Sequence, residues 1–236
     1  MATDIIQPDQ FAASFAHLHL LKHPFYQEWM AGTLSRATLQ DYAAQYYHHV
    51  DRFPRYIGAI HSQCEDATDR CTLLDNLNDE EGKTHGVAHP ELWLRFAEGM
   101  GISREAVSNT TPRAAIQNVA NTFFSLARSS YAEGLGALYA YESQVPEIAD
   151  SKIEGLKNRY GVHDERTLEF FTVHQIADQE HRSVIRQMLE SLDPHQQELA
   201  RGAAQKAAQV LWNFLSDVQT EANTDVKTRD ISCACV

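Results

Sequence analysis

The residues most able to do chemistry lie in Phe170-Phe-Thr-Val-His174-Gln-Ile-Ala-Asp178-Gln-Glu-His181-Arg. At about 100° per helical residue, positions four and seven residues on lie only about 40° and 20° away from the first, so two imidazoles and a carboxylate share one stripe. Phe170, Phe171, Val173, Ile176 and Ala177 surround that stripe with apolar side chains, which turns it toward a core. Three polar groups there cost several kcal/mol unless something binds them. A divalent metal would do so, because imidazole nitrogen with carboxylate oxygen suits iron, manganese or zinc. In a chain with 12 histidines the spacing alone equally fits hydrogen-bonded or surface histidines, so further ligands must come from other helices.

Glu142 is the clearest such group. Leu135, Leu138 and Tyr141 make its neighbourhood apolar and Pro146 follows one turn later; taken alone it would be a surface carboxylate at a helix end. Asn76-Leu-Asn-Asp-Glu80-Glu81-Gly82 offers a second carboxylate, and periodicity does not separate Glu80 from Glu81. His85 and His89 follow, the latter just before Pro90 and an aromatic helix. Three carboxylates and three imidazoles would hold two divalent ions side by side, with open positions for dioxygen. One zinc uses four ligands and calcium wants oxygen alone. The ferritin pattern needs two Glu-x-x-His pairs, and neither is present.

The elements that would position these groups are helical nearly throughout. An opening helix carries Phe11, Phe15 and Leu18, and a short element from Pro24 to Gly32 carries Phe25, Tyr26 and Trp29. Ser35 caps a long helix, Leu39 to about Gln63, which Pro54 should kink. A helix from about Asp66 ends at Gly82, Pro90 opens a short aromatic one, and Thr111 with Pro112 starts a long apolar helix that stops before Pro146. Ser151–Tyr160, Asp164–Leu192 and Asp193 to about Val218 complete the set, with Asp193-Pro-His-Gln196 as a capping box. The expectation is a single all-α domain of about seven or eight helices over residues 1–220, followed by a polar, disordered tail over 221–236.

The 236 residues carry 32 acidic against 20 basic side chains, a formal charge of −12, which disfavours nucleic acid and anionic membranes as partners. No apolar run approaches the ~18 residues of a membrane span, and the first residues lack a basic region followed by an apolar core, so a cytoplasmic protein is expected. Cys64, Cys71, Cys233 and Cys235 form no disulfide framework and fit a reducing compartment. The ending Cys233-Ala-Cys-Val matches the bare prenylation pattern, but no polybasic run precedes it, and a plain tail is expected.

Glu, a nearby His, a distant Glu and then His-x-x-x-Asp-x-x-His resembles the ligand pattern of the haem-oxygenase-like di-iron oxidases, whose helical fold is shared with the TenA thiaminases and the pyrroloquinoline quinone synthases. The resemblance is closer to the chlamydial protein associating with death domains and its bacterial relatives. It runs through His23-Pro-Phe-Tyr26, Tyr47-His-His-Val-Asp-Arg-Phe-Pro-Arg-Tyr-Ile-Gly-Ala-Ile-His-Ser, the Asn-Leu-x-Asp-Glu-Glu block and His89-Pro-Glu-Leu-Trp, and covers the chain to about Phe214. It implies metal ligands at Glu80, His89, Glu142, His174, Asp178 and His181, holding two irons or iron with manganese, with dioxygen and an external reductant as co-substrates.

The resemblance also implies a function. Such proteins are taken to make para-aminobenzoate for folate by oxidising one of their own tyrosines, a lysine of the same chain supplying nitrogen, in a single turnover. The matching residues are Tyr26 and Lys152. By itself Tyr26 is an aromatic core residue and Lys152, in a polar stretch, a solvated charge; Tyr42, Tyr46, Tyr47 and Tyr141 are alternative donors or relays. Two other readings compete: a di-iron oxidase acting on an external small molecule, with Arg52, Arg55 or Lys152 binding a carboxylate, and a non-catalytic helical interaction protein. A homodimer is compatible with each.

Overall fold

The computed structural model describes residues 8–83 and 86–233, and of these all side chains except those of 8–10, 176–181 and 223–233. Helix α1 (Pro8–Ala13) leads through two 3-10 turns, Ala16–Leu18 and Leu20–Lys22, into α2 (Pro24–Ala31). Then follow α3 (Arg36–Val50), α4 (Phe53–His61), α5 (Ala67–Glu80), α6 (His89–Gly99) and α7 (Arg104–Ser108). The chain continues through α8 (Ala114–Ser129), α9 (Tyr131–Glu142), α10 (Val145–Tyr160), α11 (Glu165–Ser191) and α12 (Pro194–Cys233). No strand occurs among the described residues.

The all-α expectation stands, but there are more helices than the seven or eight that periodicity suggests, in part because two long apolar stretches are broken by local chemistry. The stretch Leu39–Gln63 divides into α3 and α4 at Asp51 and Arg52, where Pro54 takes the first turn of α4 and has no N–H to lose. The stretch expected to run from Thr111 to Pro146 divides at Ser130, whose extended backbone (φ −159°, ψ 161°) lets its side chain cap α9 by accepting from Glu133 N. Its start also moves from Thr111 to Ala114. Gln45 grips the intervening turn, donating to the Thr111 carbonyl at 3.1 Å and accepting from Arg113 N at 2.9 Å. Pro146 opens α10 rather than ending its predecessor, so that helix begins at Val145, six residues before the expected Ser151. At Asp193 the capping box forms: Gln196 N donates to Asp193 Oδ1 at 2.9 Å and Asp193 N to Gln196 Oε1 at 3.3 Å. Helix α12 continues into residues 221–233, the segment read from sequence as a tail.

Helix α9 is the centre of the molecule. Every residue from Gly134 to Glu142 is buried, the pattern of a helix that is apolar all round. It packs against α12, α8, α11 and α4. Two glycines allow the approaches that bring the site together. A Cβ on Gly99 of α6 would lie 2.1 Å from Thr167 Oγ1 of α11, and one on Gly155 of α10 would lie 2.5 Å from the Trp29 ring of α2. Arg95 reinforces the first approach by donating to Glu169 across α6 and α11 at 2.6 Å. Trp29 Nε1 reinforces the second by donating to the Lys152 carbonyl at 3.3 Å.

Helix α2 is held at its start by His23. Nδ1 accepts from Phe25 N at 3.0 Å, which leaves Nε2 as the protonated nitrogen, 2.9 Å from Ser216 Oγ. Burial lowers the pKa of this imidazole to about 4, so the cap is intact at neutral pH. Among the described residues, no helix is long and apolar enough to cross a membrane.

Candidate metal centre and adjoining cavity

Glu80 at the end of α5, His89 at the start of α6 and His174 in α11 each direct a ligand atom to one point, the three atoms lying within 4.8 Å of one another. All three side chains are buried. Glu80 Oε2 and His89 Nδ1 are 2.9 Å apart, without the alignment of a hydrogen bond. That separation is what two neighbouring ligands show on an octahedral ion with bonds of about 2.1 Å. His174 Nδ1 lies 2.6 Å from the Phe170 carbonyl, which can only accept. Nδ1 therefore carries the proton and Nε2 keeps the lone pair, the outer-shell arrangement usual for metal-binding histidines.

Glu142, the last residue of α9, is buried beside this group and accepts from Asn76 Nδ2 at 2.8 Å. Asn76 stands one turn before Glu80 on α5, so one helix face supplies both a carboxylate and the donor that orients a second carboxylate. Burial opposes charge on His89, but the carboxylates of Glu80, Asp79 and Glu142 outweigh it and hold the imidazole above its ordinary value. The local field thus favours a cation. Of the alternatives open in sequence, Glu80 is buried and Glu81 exposed. His85 and the side chains of Asp178 and His181 lie outside the described residues.

Next to the three-ligand group is a cavity lined by Tyr26, Tyr46, Tyr141, Lys152, Phe170 and His174, among others. Its volume, measured for the centre of a water-sized sphere, is about 20 Å³. That admits about one water-sized molecule, as small as dioxygen. Tyr26 and Tyr141 are buried, whereas Tyr47 is half-buried and does not line this space.

Lys152 is the largest departure from what sequence suggests: it is 4 % exposed. Its Nζ donates to the Tyr42 hydroxyl at 2.6 Å and sits 4.9–5.9 Å from the ring centres of Tyr26, Trp29, Tyr42, Tyr46, Trp93 and Phe171. Burial lowers its pKa to about 7, and no acidic group among the described residues raises it again. A substantial fraction of this amine is therefore neutral, hence nucleophilic, at neutral pH. The polar run Asp150-Ser-Lys152 conceals this, because only one position of it faces inward across Trp29. Burial also pushes the hydroxyls of Tyr26, Tyr42 and Tyr46 far above the usual phenol range, so all three stay protonated. Tyr46 donates to the Tyr141 hydroxyl at 3.2 Å.

The amine has a consequence for stability. Between pH 7 and 10.5 the unfolded chain holds a proton on Lys152 that the folded chain lacks, so this group makes folding less favourable as pH falls through that window. Lys152→Met is expected to raise the melting temperature, with a difference from wild type that grows from pH 10.5 down to pH 7 and is flat below. A pH series of thermal melts on both proteins checks it.

Residues 40–213 match the family described as iron-containing redox enzymes. The chain belongs to that family. The matched segment contains Glu80, His89, Glu142, His174, Asp178, His181 and Lys152, while Tyr26 precedes it. The 4-aminobenzoate synthase of Chlamydia pneumoniae is 42 % identical over 200 residues, covering 84 % of this chain and 88 % of that protein. The 4-aminobenzoate synthase of Nitrosomonas europaea is 37 % identical over 213 residues, covering 85 % of each. A solved domain of unknown function with a haem-oxygenase-like fold, from Shewanella denitrificans, superposes with a TM-score of 0.77 at 17 % identity and 91 % coverage of each chain. The fold is haem-oxygenase-like.

Proposed function

We propose that this chain is a dioxygen-dependent para-aminobenzoate synthase that uses its own Tyr26 as the ring source and Lys152 as the nitrogen donor. The observation that carries the reading is the cavity. Tyr26, Lys152 and His174 border one small space with room for about one small molecule, so a small oxidant fits beside the metal group and an external aromatic substrate does not. The relatives named 4-aminobenzoate synthase support the product.

Glu80, His89, Glu142 and His174, with Asp178 and His181, would hold two divalent ions, iron with iron or iron with manganese. Carboxylate and imidazole donors suit both metals, and the misaligned 2.9 Å approach of His89 Nδ1 to Glu80 fits shared coordination. When bound, the metals would activate dioxygen, with an external reductant supplying electrons. The protein's own part is positional. The His23 cap and the Gly155 contact fix Tyr26 against Lys152, whose Nζ is 5.7 Å from the tyrosine ring centre. Surrounding aromatics exclude water, keep the amine partly neutral and keep phenolic protons in place until oxidation removes them. In the net change dioxygen is the oxidant: the Tyr26 Cα–Cβ bond breaks and Cβ becomes the carboxylate, while the oxidised ring condenses with the Lys152 amine, the ring oxygen leaves as water, and hydrolytic cleavage of the Nζ–Cε bond leaves nitrogen on the ring and Cε as an aldehyde.

The test is stoichiometry. Metal-loaded protein with reductant and oxygen, and no added organic substrate, is expected to yield at most one para-aminobenzoate per chain, and added free tyrosine should not raise the yield. Many products per chain, or dependence on an added aromatic compound, would overturn the reading and favour an oxidase of an external substrate.

A further inference from the structure

The product proposed above takes over the volume of the Tyr26 ring, but it has no open way out. The adjoining cavity admits about one water-sized molecule, so a benzene ring bearing an amine and a carboxylate leaves only if a wall moves. The walls differ in how firmly they are built. Tyr26, Tyr46, Tyr141, Lys152 and His174 border the space from α2, α3, α9, α10 and α11. Leu20 also borders it, and Leu20 belongs to the 3-10 turn Leu20–Lys22, whose hydrogen bonds have poorer geometry than those of an α-helix. This wall is thin as well: Leu20 is buried, while its neighbours His19 and Leu21 are half-buried and Lys22 is exposed.

A buried glutamine ties the turn down. Leu20 N donates to Gln144 Oε1 at 2.8 Å, and Gln144 Nε2 donates to the Ala140 carbonyl at 2.7 Å. Both partners fix the orientation of the carboxamide, since an N–H needs an acceptor and a carbonyl needs a donor. Gln144 is 2 % exposed and stands where α9 gives way to α10, between Tyr141 and Val145, which both line the cavity. The clamp therefore holds Leu20 against the corner of the cavity wall. Toward solvent the turn is held by exposed bonds, from Gln27 Nε2 to the Leu21 carbonyl and from Lys22 Nζ to the Ala16 carbonyl, each 2.8 Å.

We propose that Leu20 and Gln144 form a gate: when the Leu20–Gln144 hydrogen bond breaks, the 3-10 turn lifts from the α9–α10 corner and opens a passage for a para-substituted benzene ring. Closed, the cavity receives only molecules as small as dioxygen. Open, it releases the aromatic product. The gate rests on the proposed function for the molecule that passes, and Gln144 acts on passage rather than on the reacting atoms.

The experiment measures passage directly. Tyr26→Gly and Tyr26→Ala empty the ring space, and p-cresol, the missing side chain as a free molecule, is the probe. The full chain is loaded with zinc, which undergoes no redox chemistry, and exchange of methyl-labelled p-cresol is followed by nuclear magnetic resonance. Adding Gln144→Leu should raise the association and dissociation rates together, roughly tenfold, as expected for the loss of one ordinary hydrogen bond from the closed state. The affinity should stay unchanged, because the gate is not part of the bound site. Ser103→Ala, which removes the side-chain cap of α7, should leave both rates alone. No uptake of p-cresol by folded protein, equal rates with and without Gln144→Leu, or the same acceleration in Ser103→Ala would overturn the gate. A second measurement uses the intact site. After one exposure of metal-loaded protein to oxygen and reductant, product in the filtrate should lag total product in acid-quenched samples, and Gln144→Leu should shorten that lag about tenfold without changing the rate of formation. An equal lag in both proteins would overturn the gate while leaving the chemistry intact. Accelerated p-cresol exchange with Tyr26 unconsumed after oxygen would keep the gate and remove self-consumption alone.

Discussion

Replacing Tyr26 by phenylalanine is expected to abolish para-aminobenzoate formation while leaving the fold in place. The Tyr26 ring is 3 % exposed, packed edge-on against Phe25 at 5.4 Å and beneath the Lys152 amine. Phenylalanine keeps all of those apolar contacts. It loses a hydroxyl near that of Tyr42, worth about 1 kcal/mol. For a chain of this size that is a drop of roughly 2–4 °C in melting temperature. The product yield should nevertheless fall from as much as one per chain to none. Phenylalanine has no ring oxygen to exchange for nitrogen, and the cavity has no room for a replacement ring. Tyr42→Phe should behave differently: Lys152 loses the hydroxyl to which its amine donates, so the yield persists but the reaction slows. Liquid chromatography with mass detection distinguishes the two. A wild-type yield from Tyr26→Phe would mean that the ring comes from elsewhere.

The second large effect falls on the spent chain. If Tyr26 gives up its ring together with Cβ, the residue left behind is no larger than glycine in a site walled by Phe25, Tyr42 and Lys152. Deleting a buried aromatic side chain costs about 3–5 kcal/mol in lost transfer energy and residual cavity. Set against a typical total of about 5–15 kcal/mol, that is a large share of the stability. Because the reacted chain has also lost the destabilising Lys152 amine, it is expected to melt roughly 10 °C below Lys152→Met, and Tyr26→Gly/Lys152→Met should melt with the reacted form. It should also be cut faster by proteases, because the unfolded fraction rises with the lost stability. Reaction would thus mark the used chain for removal. Differential scanning calorimetry of oxygen-exposed protein, with Lys152→Met and Tyr26→Gly/Lys152→Met as references, measures this; coincident melts of all three would contradict it.

How much of this was legible in sequence depended on whether chemistry was carried by local periodicity or by distant contacts. The stripe of His174, Asp178 and His181 is a property of one helix, and His174 does face the buried group. The burial of Glu142 was legible because its neighbours on α9 are apolar on every side. Glu80 and Glu81 could not be separated, since both lie one turn from a leucine; what buries Glu80 is α6 arriving with His89. The breaks at Asp51 and Ser130 were hidden because a cap costs one serine or one proline within an otherwise continuous apolar pattern. Lys152 was the least legible residue. Its burial follows from Gly155, which lets α10 close on Trp29, and from six aromatic rings contributed by four other helices. Asn76 was visible as part of a motif, but its partner Glu142 is 66 residues away.

The most direct test of self-consumption is mass spectrometry on protein grown with ring-labelled ¹³C-tyrosine and ¹⁵N-lysine, loaded with metal and exposed once to oxygen and reductant. The account predicts para-aminobenzoate carrying both labels, in an amount matched by loss of the ring and Cβ from the peptide containing Tyr26 and by a changed mass at Lys152. Unlabelled product, or labelled product alongside an intact Tyr26 peptide, would contradict it.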